Sequence, residues 1–188
     1  MPAYVPVEEP DYLSLGSALL YMTETQVAYE QDIKVEKARL TRLRVPLGEI
    51  LQETAFETLE DTYAAGVSTS TVTENPSAYD IIIRPEVTSF SVAYADYTLF
   101  SVTPEVEVAV KVRAFDGTGQ LVDERVFSSG PVRDERCWGD YCDPIDRAVM
   151  LTHLATYRVM KEAVRVMSMG TASQGRDREL DAPKIGSQ

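Results

Sequence analysis

Histidine, cysteine and positive charge are all scarce in this chain of 188 residues. It has one histidine and two cysteines, and 18 lysines and arginines stand against 30 aspartates and glutamates, for a formal net charge of −12. One histidine cannot form a histidine-rich zinc or iron centre, and two thiolates alone cannot close a tetrahedral zinc site. Because so acidic a chain is repelled by phosphate backbones, we expect no nucleic-acid partner.

Long apolar runs and the common catalytic signatures are missing as well. The sequence contains no run of about 18 apolar residues, the length needed to span a bilayer. No apolar signal-peptide core follows Met1. The sequence contains no GxGxxG after a strand, no GxxxxGK[ST], no GxSxG and no HExxH. We therefore expect no cofactor, no bound metal and no enzymatic activity, and we expect His153 to be a packed or surface residue rather than a general base.

The two ends of the chain lack apolar periodicity. Residues 1–12, with three prolines, predict a flexible, semi-extended tether, and residues 168–188 predict a disordered tail. Such a beginning is expected where Met1 replaces a signal peptide and a lipid-bearing cysteine, and also in a cytoplasmic protein with a loose N-terminus. Residues 13–167 are predicted to form one domain.

Alternating valines give the clearest pattern in the chain. Four of them alternate with mostly charged residues in residues 104–115: Val106, Val108, Val110 and Val112. This alternation predicts a strand with one buried face. A strand is also predicted over 80–94, where Pro85 favours a sheet edge or a bulge, and a partner strand follows the turn DGTGQ. Residues 80–128 are therefore predicted to form an antiparallel meander of three or four strands.

Two amphipathic helices complete the predicted fold. Over 46–65, apolar residues recur every four positions opposite a row of glutamates, with Pro46 in the first turn and Gly66 as a C-terminal cap. The second helix is predicted over 145–167. Residues 13–22 favour a strand or a docking segment, and 26–45 are ambiguous. The fold class predicted is α+β, a mostly antiparallel sheet of three to five strands with two helices packed on one face.

The two cysteines lie in the motif CWGDYC. Its CxxxxC spacing differs from the CxxC of redox centres, and the loop is polar and short enough for the two thiols to meet. Three states of the two cysteines are compatible with the sequence: a disulfide, two free thiols, or a redox-active pair. The disulfide between Cys137 and Cys142 is favoured; it implies an oxidising compartment and would present Trp138, Asp140 and Tyr141 as candidate interaction residues.

Acidic residues cluster around the same loop. Five of them offer the oxygen ligands that calcium takes: Asp134, Glu135, Asp140, Asp143 and Asp146. Their spacing matches no calcium-binding loop, so a cation site is kept as a minor alternative.

Two short patterns resemble the central part of small bacterial envelope lipoproteins. The matching residues are Asp80, Pro85, Val87 and Phe90 in the first pattern and Asp116, Gly119 and Val122 in the second. The similar families are the LptE-type lipopolysaccharide-assembly lipoproteins, the YajG-type lipoproteins and the auxiliary lipoproteins of ABC transport systems. The chain departs from them in lacking the lipid-bearing cysteine and in being acidic, which argues against direct binding to lipopolysaccharide.

The resemblance implies a non-enzymatic accessory subunit of an envelope transport or assembly machine. It would face the periplasm, anchored to the outer membrane by a lipid, with other envelope proteins or further copies of itself as partners. Three alternatives remain: an enzyme of unrecognised type that uses the acidic loop, a structural ring or phage-type assembly subunit, and a small-molecule-binding domain with a groove between helix and sheet.

Overall fold

The core of the protein is one six-stranded sheet with helices packed against it. The computed structural model describes residues 16–33, 43–72, 75–95, 103–133 and 144–180. In chain order the elements are β1 (Ala18–Tyr21), α1 (Glu24–Val27), β2 (Gln31–Ile33), β3 (Leu43–Val45), α2 (Leu47–Glu60), β4 (Val67–Ser70), a 3₁₀ turn (Pro76–Ala78), β5 (Ile81–Ala95), β6 (Thr103–Asp116), β7 (Leu121–Ser128), β8 (Val132–Arg133) and α3 (Pro144–Leu180).

The sheet combines parallel and antiparallel pairing. Its strand order is β4-β1-β5-β6-β7, and β8 pairs with β6. The meander β5-β6-β7 is antiparallel, as predicted, but β1 runs parallel to both β4 and β5. The prediction of three to five strands was therefore too small, and the sheet is partly parallel. Parallel neighbours are joined by long crossovers, here through α2, and the local sequence pattern does not reveal such pairing.

The valine pattern was interpreted correctly. Val106, Val108, Val110 and Val112 are fully buried and share one core cluster with the apolar residues of α2 and α3. The residues between them are more exposed, as the two-residue period of a strand requires. Both helices pack against the sheet and against each other.

The first long helix is shorter than predicted. α2 ends at Glu60, and Asp61 follows it in a right-handed conformation, so Gly66 is not its cap. Gly66 has a φ of +103° and lies immediately before β4, where the chain leaves a turn. This left-handed conformation suits glycine, so the sequence identified a real turn residue but assigned it to the wrong element.

The last helix is longer than predicted. α3 spans Pro144–Leu180 rather than 145–167, so the predicted start of the tail at residue 168 falls inside a helix. Apolar periodicity marks the part of a helix that packs, and here the helical backbone continues past it. Residues 1–12 lie outside the described residues, so the tether stays a prediction. Within the described ranges, no helix is both long and apolar enough to cross a membrane.

Two of the residues that carry the lipoprotein resemblance, Asp80 and Asp116, have structural roles. The Asp80 carboxylate accepts hydrogen bonds from the backbone N–H of Ser17 (2.7 Å) and from its hydroxyl (2.9 Å), which joins the start of β5 to the start of β1. Asp116 accepts from the N–H groups of Thr118 (2.9 Å) and Gln120 (3.0 Å) in the turn between β6 and β7. These contacts fix the start of β5 and the turn between β6 and β7.

Candidate binding cavity at the end of β1

A cavity of about 620 Å³ opens where β1 ends and β5 continues. Its lining comes from residues 21–29 around α1, residues 84–87 of β5, Leu51 of α2 and Arg113 of β6. We call it the β1-end cavity. Its size falls within the range of about 300–1,000 Å³ that is usual for small-ligand sites.

The early end of β1 creates this opening. β1 pairs with β5 over three positions, with Ala18–Leu20 alongside Ile81–Ile83, whereas β5 runs on to Ala95. The Ile81 N–H donates to the Ser17 carbonyl on the β1 side. Because the backbone N–H and C=O groups of successive residues point to alternate sides of a strand, those of residues 83, 85 and 87 also point toward the β1 side.

Pro85 therefore lies on the edge of β5 that β1 leaves uncovered. Its missing N–H faces that edge, so the proline costs no hydrogen bond to β6. The prediction that Pro85 marks an edge is confirmed in this sense, while the bulge falls slightly later, between Val87 and Ser89. A proline at this position also discourages a further strand from adding to the edge.

The short helix α1 forms one wall of the cavity. Thr23 caps it: the Thr23 N–H donates to Gln26 Oε1 (2.9 Å), and the Gln26 N–H donates to Thr23 Oγ1 (3.3 Å). This reciprocal capping box satisfies two donors that would otherwise lack partners. The sequence pattern T-x-x-Q was the signal that could have predicted α1.

Gly48 lets α1 approach the start of α2. A Cβ atom at this position would lie 2.1 Å from the Gln26 carbonyl oxygen and 2.3 Å from that of Val27. The Gly48 N–H also donates to the Tyr29 carbonyl at 2.9 Å. Any larger residue must displace α1, so Gly48 determines the position of this wall.

Arg84 is the most unusual side chain in the cavity. Its guanidinium carbon lies 4.3 Å from the ring centre of Tyr21 on β1 and 4.5 Å from that of Phe115 on β6. The cation therefore has an aromatic ring on each neighbouring strand, an attraction of roughly 0.5–2 kcal/mol per ring. Its Nε is buried and has no hydrogen-bond partner in the described part of the chain, which is costly for a charged donor.

A second arginine lies directly opposite the first. Arg113 is the register partner of Arg84 across β5 and β6, and like charges facing each other in a sheet are destabilising. Arg113 is compensated by two carboxylates, Glu124 at 2.6 Å and Glu86 at 3.4 Å. Arg84 makes no ion pair within the described ranges, so the cavity keeps one uncompensated positive charge on a protein of charge −12.

The apolar part of the lining comes from the helix-facing side of the sheet, across the open edge of β5 from Arg84. Met22 and Leu51 are almost fully buried, and both line the cavity together with Pro85 and Val87. The Tyr29 hydroxyl, near the opening, donates to Gln31 Oε1 at 3.2 Å. The cavity therefore suits a ligand that has one negative group and an apolar body.

The predicted interaction loop cannot be compared with this cavity. Cys137, Trp138, Asp140, Tyr141 and Cys142 all lie in residues 134–143, outside the described residues, so the disulfide and the contact role stay predictions. Most of the acidic cluster lies there too. In the part of the chain that the structure describes, no group of acidic, histidine or cysteine side chains is arranged to hold a metal ion.

The charged residues of the cavity carry no recognisable motif in the sequence. The alternative of a groove between helix and sheet named no residues, and neither Arg84 nor Arg113 was predicted to have a role. One signal was present, a single arginine between three isoleucines and a proline in IIIRP. A charge at the end of so apolar a run calls for a local partner, but the sequence does not say that two rings supply it.

Comparison with known proteins establishes the fold and no family. No family model matches the sequence, and no curated protein matches it. A crystal structure from Xanthomonas campestris, described by the family model DUF330, is similar over 89% of this chain and 93% of that one, with 12% identity and a TM-score of 0.59. This likeness shows that the α+β fold occurs in another bacterial protein.

Two further solved structures are more distant. A minor lipoprotein from Acinetobacter baumannii covers 85% of this chain and 95% of its own, with 10% identity and a TM-score of 0.41. The alignment with the PelC dodecamer from Paraburkholderia phytofirmans covers 81% of this chain and 89% of that one, with 12% identity and a TM-score of 0.36. Neither likeness is close enough to carry an argument, and none of the three structures is named as an LptE-type or YajG-type protein.

Proposed function

We propose that this protein is a non-enzymatic accessory subunit of a bacterial envelope transport or assembly machine, and that it works by binding. The observation that carries the proposal is the β1-end cavity, in which Arg84 is held by two aromatic rings and lacks an anionic partner in the described residues. The two sequence patterns that resemble envelope lipoproteins support the envelope setting.

The chemistry of the cavity favours recognition over reaction. Arginine stays protonated in proteins, so Arg84 is a poor acid or base but a good anion anchor. Glu86, the carboxylate that lines the cavity, is paired with Arg113 at 3.4 Å. A site with a fixed cation and apolar walls is suited to holding a negative group, which is what an accessory subunit needs in order to bind a partner or cargo.

The proposed location is the periplasm, with a lipid anchor in the outer membrane. The partners would be other envelope proteins or further copies of this chain. A disulfide between Cys137 and Cys142 would agree with this oxidising compartment. Alkylation of the unreduced protein from the host envelope, followed by mass spectrometry, shows whether Cys137 and Cys142 are bonded. Two alkylated thiols would contradict both the disulfide and its role in presenting Trp138.

Site-specific cross-linking in host cells tests the function. A photoreactive residue replaces Tyr29, which lines the cavity and is 43% exposed, or Val126 on β7 as the control, which is 61% exposed and outside the cavity. We expect an adduct with an envelope protein or a second copy from position 29, and we expect Arg84→Gln to abolish it. Equal adducts from both positions, or adducts that ignore Arg84→Gln, would contradict the proposal.

A further inference from the structure

We propose that the β1-end cavity recognises a single carboxylate attached to a compact apolar body, and that Arg84 is the residue that selects it. This inference deepens the proposed function and rests on its assignment of the cavity as the binding site. The carboxylate could belong to a free organic acid or to the C-terminus of a partner's peptide chain, since both offer the same chemistry.

The first step is the geometry of the donor. A guanidinium is flat, and its hydrogen-bond donors lie around its edge. The rings of Tyr21 and Phe115 lie against Arg84, while the buried Nε lacks a partner in the described residues. A carboxylate binds the edge of a guanidinium with two parallel hydrogen bonds, and at Arg84 the terminal N–H groups would donate them, because Nε itself is closed off from solvent. The aromatic contacts fix the plane of the guanidinium, so little order is lost when the ligand binds.

The second step is the charge of the ligand. Two carboxylates, Glu86 and Glu124, already neutralise Arg113, so Arg84 supplies the one free positive charge of the described lining. A dianion such as a phosphate monoester would be repelled by the Glu86 carboxylate and by the net charge of −12 on the chain. A monoanion is therefore preferred over a dianion of the same size.

The third step is the apolar body. Val87 and Tyr29 line the cavity and keep part of their surface exposed, so burying apolar surface against them contributes about 25 cal/mol per Å². Met22 and Leu51 also line it, but they are already almost fully buried and add little to this area. A volume of about 620 Å³ is large enough for a phenyl or short branched group as well as the carboxylate. A bare small anion such as acetate would leave most of this surface wet, so it should bind more weakly than an acid with an apolar body.

Isothermal titration calorimetry of the full chain tests the inference with matched probes. Phenylpropionate is the free acid and phenylpropanamide is its neutral twin. The peptide acetyl-Ala-Ala-Phe with a free C-terminus is compared with its C-terminal amide. We expect each acid to bind at least tenfold more tightly than its amide, and whichever acid binds more tightly identifies the source of the carboxylate. Phenyl phosphate should bind more weakly than phenylpropionate.

Variants then assign the effect to Arg84. Arg84→Gln should weaken the acids at least tenfold and leave the amides unchanged, and Arg84→Lys should give an intermediate loss because it keeps the charge without the planar fork. Arg125→Gln is the control, since Arg125 lies on β7 outside the lining and pairs with Asp123. The comparison of acid with amide on the unaltered protein needs no variant, so it stands even if Arg84→Gln fails to fold.

Three outcomes overturn the inference: equal binding of acid and amide, tighter binding of phenyl phosphate than of phenylpropionate, or acid binding that survives Arg84→Gln. If the acids bind no more tightly than their amides while the cross-link from position 29 still depends on Arg84, the proposed function stands and the proposed ligand class is wrong. If the acids and the cross-link both fail, the assignment of the cavity falls with them.

Discussion

The two faces of the central strands carry side chains of different chemistry. On the face toward the helices, β6 presents four fully buried valines, which pack in one cluster with buried apolar side chains of α2 and α3. On the opposite face the same strands place Arg84 and Arg113 in register, surrounded by aromatic rings and carboxylates. The first face stabilises the fold through apolar burial, and the second keeps charge near an opening.

This contrast shows what determines each region. The core face follows from a two-residue period that any short window of sequence contains. The cavity depends on where β1 ends, on how closely α1 approaches α2, and on a register that joins residues far apart in the chain. The valine core and the arginine pair therefore depend on different side chains, although Met22 and Leu51 belong both to the core cluster and to the cavity lining.

Charging the core face should have the largest effect. Val108→Lys places an unpaired cation at a fully buried position, and we expect a loss of about 3–5 kcal/mol in the free energy of unfolding. Urea denaturation followed by circular dichroism measures it. The neighbouring Glu107→Lys, on the exposed side of the same strand, is the control and should change stability by less than about 0.5 kcal/mol. Equal stability of Val108→Lys and the parent would contradict the assigned register.

Gly48→Ala should disturb both the fold and the cavity. Its added Cβ would lie within 2.3 Å of two α1 carbonyl oxygens, so we expect a cost of about 1–3 kcal/mol for overpacking and at least a fivefold loss of phenylpropionate affinity as the wall shifts. Denaturation and calorimetry on one sample give both numbers. Glu49→Ala, at the next and exposed position, should leave both unchanged. A normal cavity affinity in Gly48→Ala would show that α1 does not form this wall.

Asp80→Asn should have a smaller effect that depends on pH. Hydrogen bonds from the Ser17 backbone and hydroxyl lower the pKa of Asp80. A lowered pKa in the folded state adds stability above the unfolded pKa, and this stability is lost as pH falls through the folded value.

We therefore expect Asp80→Asn to cost about 1 kcal/mol or less at neutral pH, since the carboxylate is exposed to solvent. The difference from the parent should shrink as pH falls below the ordinary aspartate pKa of about 4 and vanish once the folded carboxylate is protonated too. Melting curves across this range measure it. A difference that grows on acidification would mean that the clamp does not depend on the charged carboxylate.

Arg84→Gln should change stability little in either direction. It removes two aromatic contacts, and it also removes the like charge opposite Arg113 and a buried unpaired donor. These effects oppose each other, so we expect a change within about 1 kcal/mol, measured by the same denaturation. A loss as large as that of Val108→Lys would make Arg84 a structural residue and remove the separation between the two faces.

The sequence predicted the regions whose structure is locally encoded. The meander, the helix-facing valines and both long helices follow from periodicity, and the turn at Asp116 follows from its Asx and glycine chemistry. The parallel pairing of β1 was missed because a strand of four residues carries no mark of its partner. The approach at Gly48 and the two rings at Arg84 were missed because they are contacts between elements distant in sequence.

The most direct test of the central claim follows the Arg84 side chain itself. In a proton–nitrogen correlation spectrum of the arginine Nε–Hε groups, assigned with Arg84→Gln and Arg125→Gln, phenylpropionate is titrated into the protein. We predict that the Arg84 signal shifts and saturates while the Arg125 signal stays in place, and that phenylpropanamide shifts neither. An Arg84 signal that does not respond to the acid, or that responds equally to the amide, would contradict the account of the cavity as a carboxylate site.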